Sequence, residues 1–313
     1  MKRTLFTLLL SGTFGLMAVG LFSCRKDKNE PTLKQYDQQQ IEAYMSANGL
    51  TSVMKRDTSG GDTTGIYYQI LNKGTGKVLD YPDMISYVFT IKSLDGSYVL
   101  SDTIANHGYS YVGHMIPQGV MLAVKNILKT NGTSARLLIP AHLAYGTSGI
   151  GTGTSRLKGN QSLDYYINVV QNQAAYDDLV IQNFLKANGL TSYYTRTSSG
   201  LYYRILQAGT GTQHPDSYST LGVQYTGKLL NQSIFDGFNP AVGDTTYTSF
   251  DIGDLVPGVQ EGLQKVTKGA KISMIMPSAL AYGNKSMGAG TSGVGIPPNS
   301  CLIFDFNLMA VTN

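Results

Sequence analysis

The sequence predicts an α+β protein, mixed helix and antiparallel strand, built twice over from one unit. Three observations carry that prediction. The word Ala47-Asn48-Gly49-Leu50-Thr51-Ser52 returns as Ala187-Asn188-Gly189-Leu190-Thr191-Ser192, the mark of a tandem duplication. Composition points to strands and turns: 21 tyrosines, no tryptophan and 36 glycines suit antiparallel, turn-rich structure whose aromatics keep one end in water. A chain of 313 residues with 42% hydrophobic residues also exceeds what one core usually holds and suits two domains.

Taken in order, Lys2 and Arg3 precede an apolar run from Leu5 to Phe22 that ends in Leu21-Phe22-Ser23-Cys24 and turns polar at Arg25-Lys26-Asp27-Lys28. This is the pattern of a secretory signal with a cysteine at its boundary. The Leu-x-Ser-Cys ending resembles a bacterial lipoprotein signal. That resemblance implies a signal peptide over 1–24, an acylated Cys24 as mature N-terminus, and a place in the bacterial envelope, on the periplasmic face of the outer membrane. The competing reading is a transmembrane anchor, since about 18 apolar residues is borderline for a span.

A polar tether follows over 25–31, and then Leu33, Tyr36, Ile41, Tyr44 and Met45 share one face of a helix that stops at Asn48-Gly49. Tyr176, Leu179, Val180, Phe184 and Leu185 trace the same face again before Asn188-Gly189. Strand and turn come next in both copies. Gly65-Ile66-Tyr67-Tyr68-Gln69-Ile70-Leu71 answers Gly200-Leu201-Tyr202-Tyr203-Arg204-Ile205-Leu206, each followed by a Gly-Thr-Gly turn. Ile85-Ser86-Tyr87 is set against Val223-Gln224-Tyr225, and Leu143-Ala144-Tyr145-Gly146 against Leu280-Ala281-Tyr282-Gly283. The boundary falls near Gln173, giving copies over 32–173 and 174–313.

At the end of the second copy, Leu302, Phe304 and Phe306 fall on one face of a period-2 strand, with Ile303 and Asp305 on the other. Before it, Pro297 and Pro298 fix their own φ and hold the loop at a set angle to that strand. Tyr282, Ile296 and Phe304 can then converge on one apolar hollow.

The order Ala281-Tyr282-Gly283, Ile296-Pro297-Pro298-Asn299, Leu302-Ile303-Phe304-Asp305-Phe306 closely resembles the end of the FKBP family of peptidyl-prolyl isomerases. Upstream motifs agree and keep the family's order over 221–310. They are Val223-Gln224-Tyr225-Thr226-Gly227-Lys228-Leu229, Phe235-Asp236, Phe250, Leu255-Val256-Pro257-Gly258 and Glu261-Gly262-Leu263. The resemblance implies that each copy is an antiparallel sheet wrapped around one short helix and preceded by an N-terminal helix. In the second copy the short helix starts near Pro257, with Val259 and Leu263 facing the sheet.

It also implies catalysis of X-Pro rotation, with Tyr225, Phe235, Asp236, Tyr282 and Phe304 as catalytic residues. Phe250, Leu255, Val256, Val259 and Ile296 would contact substrate, Val259 standing where the family commonly has tryptophan. A carboxylate in an apolar setting needs a partner, and Tyr225 is the expected one for Asp236. Such a reaction needs no cofactor and no metal. Its partners are proline-containing unfolded or extended polypeptides, reached from a membrane to which Cys24 is tethered.

The first copy departs from this pattern. Phe235-Asp236 meets Val99-Leu100 or Leu100-Ser101, Ile296-Pro297-Pro298-Asn299 meets Leu157-Lys158-Gly159-Asn160, and Phe304 meets Tyr165. Met115-Ile116-Pro117-Gln118-Gly119 aligns only loosely with residues 255–261. The first copy therefore reads as the same fold with a degenerate pocket. A second class of function fits the same sequence, a lipid-anchored chaperone or structural binding module of an outer-membrane assembly, without catalysis.

Other chemistries find little here. His107, His114, His142 and His214 lack metal-ligand spacing, and Cys301 reads as a small buried hydrophobe. A net charge of +4 with 14% charged residues, and no basic run interleaved with aromatics, argues against a nucleic-acid partner.

Overall fold

A computed structural model describes residues 32–59, 64–153, 156–290 and 292–313. The expected signal, tether and Cys24 lie outside them. The first half opens with helix α1 (Leu33–Ala47) and continues with β1 (Lys55–Arg56), β2 (Tyr67–Asn72), β3 (Met84–Ser93), β4 (Val99–Leu100) and β5 (His107–Tyr111). A short helix α2 (Gln118–Ala123) precedes β6 (Ser134–Ile139) and β7 (Leu163–Val170). The second half repeats this order. It runs α3 (Gln173–Ala187), β8 (Thr195–Arg196), β9 (Tyr202–Gln207), β10 (Thr220–Leu229), β11 (Ile234–Phe238), β12 (Thr248–Asp251), α4 (Pro257–Leu263), β13 (Lys271–Met276) and β14 (Leu302–Thr312).

Each half forms a seven-stranded antiparallel sheet with the same path: β1-β2-β6-β7-β3-β4 with β5 also on β3, and β8-β9-β13-β14-β10-β11 with β12 also on β10. In each half a short helix covers the sheet. Val120 and Ala123 of α2, and Val259 and Leu263 of α4, are buried in the respective cores, and α4 carries Pro257 in its first turn, where a missing amide hydrogen costs nothing.

The N-terminal helices begin and end on local chemistry. Thr32 and Gln35 close a reciprocal capping box on α1, and the Asn172 side chain accepts from the Ala175 amide on α3. Asn48 and Asn188 end the helices, and Gly49 and Gly189 follow at φ 67° and 66°, conformations that favour glycine. Of the predicted faces, Ile41, Met45 and Leu185 are buried, but Leu33, Tyr36 and Leu179 are exposed. The inward positions one turn earlier belong instead to aspartates.

Asp37 is 0% and Asp177 1% exposed. Each accepts an amide from the first two residues of the short 3-10 turn before an Ala-Tyr-Gly loop: His142 N, the second residue, at 3.2 Å on Asp37, and Ser278 N, the first, at 2.8 Å on Asp177. The side chains nearby add to this. His142 Nδ1 lies 2.7 Å from Asp37, while Ser278 Oγ and Gln173 Nε2 donate to Asp177 at 2.6 Å each. An aspartate on an apolar stripe reads in sequence as an interruption; here it rivets helix to loop.

Strand pairing corrects one match between the halves. Tyr225 lies opposite Phe306, and its positional equivalent opposite Ile167 is Phe89, not Tyr87. Phe89-Thr90-Ile91-Lys92 therefore stands for Tyr225-Thr226-Gly227-Lys228. A two-residue slip keeps every side chain on its face, so the alternation pattern alone did not separate the two registers.

Burial pushes the Asp177 carboxyl above the ordinary carboxylate range, against the opposing pull of its bonds from Ser278 and Gln173. The folded chain thus holds this proton more tightly than the unfolded one. Its contribution to stability is full below the unfolded value of about 4 and is lost as pH rises through the raised folded value. Asp177→Asn should abolish that component: urea-unfolding free energies measured from pH 4 to 7 should shift in favour of the variant as pH rises.

Candidate active site

The β10 and β14 strands build one wall. Their register sets Tyr225 opposite Phe306 and Gly227 opposite Phe304, all from alternate residues and so on one face. The rings form a row: Tyr225 stacks on Phe306 at 5.5 Å between centroids and Phe306 on Phe304 at 5.8 Å. Phe250 of β12 meets Tyr225 edge-on at 5.7 Å, and Phe235 of β11 meets Phe304 edge-on at 5.6 Å. Opposite this row, α4 and the residues before it supply Leu255, Val256 and Val259. Together they enclose a hollow of about 360 Å³, lined by Tyr225, Asp236, Phe250, Asp254, Leu255, Val256, Val259, Tyr282, Phe304 and Phe306.

Phe235 and Ile296 do not line it. Both are buried behind the lining, Phe235 against Phe304 and Ile296 in the same core cluster. The cause is a bulge: Lys228 pairs with Ile234 and Gly227 with Asp236, so Phe235 is left without a partner and turns inward. Gly227 makes room for it. A methyl at that position would meet Phe235 Cε2 at 2.6 Å and Phe304 Cε1 at 2.9 Å. Two lining residues escaped the sequence reading. Phe306 shares the predicted inward face with Phe304 and was legible there; Asp254 carries no periodic signal.

Polar groups in the hollow are few. Tyr225 Oη donates to Asp236 Oδ2 at 2.8 Å, the pairing the sequence led one to expect, and the Gly237 amide donates to Asp236 Oδ1 at 2.8 Å. Asp236 itself is exposed at the mouth and not embedded in the apolar wall, so its ionised form keeps water as well as these two donors. Burial, and then the bond to Asp236, push the Tyr225 hydroxyl well above the usual phenol range. Burial and the Asp236 charge push Tyr282 upward too. Both phenols are thus protonated donors at any physiological pH. Among the described residues the Tyr282 hydroxyl makes no hydrogen bond, which leaves it free to donate into the hollow.

The loops behind the hollow are tied to each other. Met287 and Ile296 form an antiparallel bridge with amide-to-carbonyl distances of 2.9 and 3.0 Å, and the Asn299 amide donates to the Gly283 carbonyl at 2.8 Å. In the first half the same bridge joins Ile150 and Leu157, and Asn160 donates to Gly146 at 2.7 Å. Leu157-Lys158-Gly159-Asn160 therefore does occupy the place of Ile296-Pro297-Pro298-Asn299. Leu100 lies opposite Ile91 as Asp236 lies opposite Gly227, and Val99 opposite Lys92 as Ile234 opposite Lys228. The bulged position of Phe235 has no counterpart. Phe89 stacks on Tyr165, 1% exposed, at 5.7 Å, where Tyr225 and Phe304 stand in the second half. Among the described residues no group of three or more His, Cys, Asp or Glu is placed to hold a metal.

The hollow is aromatic, with two carboxylates, Asp236 and Asp254, and two phenols in its lining, on a sheet wrapped over a short helix, and comparison with known proteins points to the FKBP-type isomerases. Residues 211–309 match the family model of the FKBP-type peptidyl-prolyl cis-trans isomerases. Its second half is similar to FKBP-type peptidyl-prolyl cis-trans isomerase FkpA of Escherichia coli (strain K12), 37% identical over 135 residues, 42% of this chain and 43% of that protein. It is likewise similar to Outer membrane protein MIP of Legionella longbeachae, 36% identical over 128 residues, 41% of this chain and 51% of that protein. A probable FKBP-type isomerase of Haemophilus influenzae is 43% identical over 115 residues, 37% of this chain and 44% of that protein. The chain thus spans about half the length of the curated relatives it matches. The crystal structure of FkpA from Escherichia coli aligns with a TM-score of 0.35 at 32% identity, over 44% of this chain and 61% of that one.

Glycine to alanine in a strand ordinarily stabilises, but at Gly227 the added methyl has to displace two rings. Gly227→Ala should destabilise by about 1–3 kcal/mol, the usual cost of overpacking, and change the near-UV circular dichroism of the neighbouring tyrosine. Equilibrium urea unfolding with that spectrum checks both.

Proposed function

We propose that this protein is a peptidyl-prolyl cis-trans isomerase of the bacterial envelope whose catalytic pocket is the hollow between β10, β14 and α4. In this reading residues 174–313 are an FKBP-type isomerase domain, and residues 32–173 are a second FKBP-like domain with a degenerate pocket. The observation that carries it is the Tyr225–Asp236 pair at the mouth of the aromatic hollow, inside the segment that matches the family.

Rotation about an X-Pro bond must cross roughly 18–20 kcal/mol, because the twisted state loses amide resonance. No covalent step is needed. The twisted amide is less polar than the planar one, so walls of Tyr225, Phe250, Val256, Val259, Phe304 and Phe306 favour it over water does. Phe235 and Ile296 act by holding Phe304 and the adjoining turn in place. Tyr282 donates to a substrate carbonyl, and Asp236, its charge held at the mouth by Tyr225 and the Gly237 amide, polarises the twisted carbonyl region. A thousandfold acceleration asks for only about 4 kcal/mol of differential binding.

The first domain has Leu100 where Asp236 stands and Lys158 where Pro297 stands, so the same differential interaction is not assembled there. Its substrates are the same extended, proline-containing chains, held without turnover. Cys24 is the lipid-bearing N-terminus, and the protein works from the periplasmic face of the outer membrane. The name of the Legionella relative, an outer membrane protein, supports an envelope location. Among the described residues no helix is long and apolar enough to cross a membrane.

Full-length protein should accelerate isomerisation of a short X-Pro peptide. Asp236→Ala, Phe304→Ala and Tyr282→Phe should each lower kcat/KM by about tenfold, the worth of one well-made interaction, while leaving circular dichroism intact. Unchanged rates in all of them would remove these residues from the mechanism. No turnover by the wild type, with retained affinity for unfolded chains, would move the protein to the class of non-catalytic chaperones.

Cys24→Ala should release the protein from membranes into the soluble fraction, because multiple acyl chains at that position are what hold it there. Full retention on membranes after that change would contradict the lipid anchor.

A further inference from the structure

A loop of the first half reaches into the second. Asp102 Oδ1 accepts the Ile104 amide at 2.8 Å and the Asp102 carbonyl accepts the Asn106 amide at 3.1 Å, so a tight turn presents Ile104 at its tip. Ile104 packs against both apolar clusters of the second half, one containing Phe304 and Ile296 and the other Cys301 and Ile303. Asn231 Nδ2 donates to Asp102 Oδ2 beside it.

Next to this peg runs a polar chain that ends at the loops behind the pocket. His107 Nδ1 lies 3.1 Å from the Asn299 carbonyl; a carbonyl only accepts, so Nδ1 carries the proton. Asn299 Nδ2 donates in turn to Ser86 Oγ at 3.1 Å, and Ser86 Oγ donates to Gln173 Oε1 at 2.6 Å. Gln173 Nε2 then donates to Asp177, which receives the Ser278 amide. Asn299 is 6% exposed and sits at φ 57°, as Asn160 does in the corresponding turn of the first half. Its own amide is spent on the Gly283 carbonyl. Its carbonyl and its side-chain amide are both spent on the first half.

Asn299 closes the turn that carries Ile296, and Ser278 opens the one that leads to Tyr282. We propose that the first half is a positioning element for the second: His107 and Ser86 hold Asn299, and through it the Ile296 turn and the Tyr282 loop, in the geometry the pocket requires. Ile104 sets the docking that brings these donors and acceptors together. Neither His107 nor Ser86 touches the hollow. The catalytic consequence rests on the isomerase reading above; the mechanical claim does not.

The test uses the full chain with His107→Leu, Ser86→Ala and His107→Asn, the last because its side-chain amide can reach the same carbonyl. Two quantities are read in each: hydrogen exchange of the Ile296 and Asn299 amides, and kcat and KM on a short X-Pro peptide. His107→Leu and Ser86→Ala should speed exchange at these amides by about three- to tenfold, as befits one lost hydrogen bond. They should lower kcat by a similar factor with KM little changed, and His107→Asn should restore both. Should His107→Leu fail to fold, Ser86→Ala, which removes one hydroxyl, carries the comparison alone. Exchange at wild-type rates in Ser86→Ala and His107→Leu overturns the proposal, and so does faster exchange with undiminished kcat. A wild type that shows no turnover while the variants still exchange faster defeats the isomerase reading and leaves the positioning claim standing.

Discussion

A buried carboxylate holds this structure together. Asp177 is 1% exposed, and a charge or even a neutral carboxyl so placed is costly unless donors surround it. Gln173 from its own helix, and both the amide and the hydroxyl of Ser278, meet that demand. The consequence is geometric. One side chain joins α3 to the loop carrying Tyr282, and through Gln173 and Ser86 it joins the second half to the first. Asp37 repeats the device in the first half with His142 in place of the serine. Removing either carboxylate would leave an amide of a tight turn unpaired, so helix and loop move together or not at all.

The asymmetry between the halves comes from one inserted residue and one missing side chain. The bulge at Phe235 and the bare Gly227 beneath it are complementary: the ring fills the space a Cβ would take. In the first half Ile91 has the side chain and β4 runs without the extra residue, so the ladder is regular and nothing is thrown inward. The change that removes the bulge also replaces the acidic residue, since Leu100 lies where Asp236 would. A backbone irregularity thus supplies both the apolar buttress of the hollow and the aim of its carboxylate. Irregularities of this kind are costly to a sheet, which fits their occurrence in the half that carries the site.

Apolar sites of this type work by what they exclude. The hollow presents rings and branched aliphatics with a carboxylate at the rim and a free phenol in the wall, and burial keeps the phenols protonated. Such a surface suits an apolar ring better than a charged group. Its precision depends on the loops at 278–283 and 296–299, whose ends are anchored outside the hollow. Conformation at those ends is therefore part of the site even though the residues there touch no substrate.

The sequence by itself determined the duplication, the element order, the inward row of Phe304 and Phe306, the short helix at Pro257 and the Tyr225–Asp236 pairing. The duplication and the inward row follow from local rules, a repeated helix stop and a period of two, while the short helix at Pro257 and the full element order came with the resemblance of the motifs to the FKBP family. Tertiary structure decided what depends on partners far apart in sequence. It set the register that gives Phe89, not Tyr87, the place of Tyr225, because a slip of two residues leaves the pattern of alternation unchanged. Asp37 and Asp177 were turned inward, against the apolar rule for a helix face, because amides more than a hundred positions away satisfy them. Phe235 and Ile296 stood behind the wall instead of in it, since the bulge and the bridge to Met287 fix directions that no single strand encodes. The contact of His107 and Ser86 with Asn299 likewise belongs to the tertiary structure, because it joins residues about two hundred positions apart that no local pattern relates.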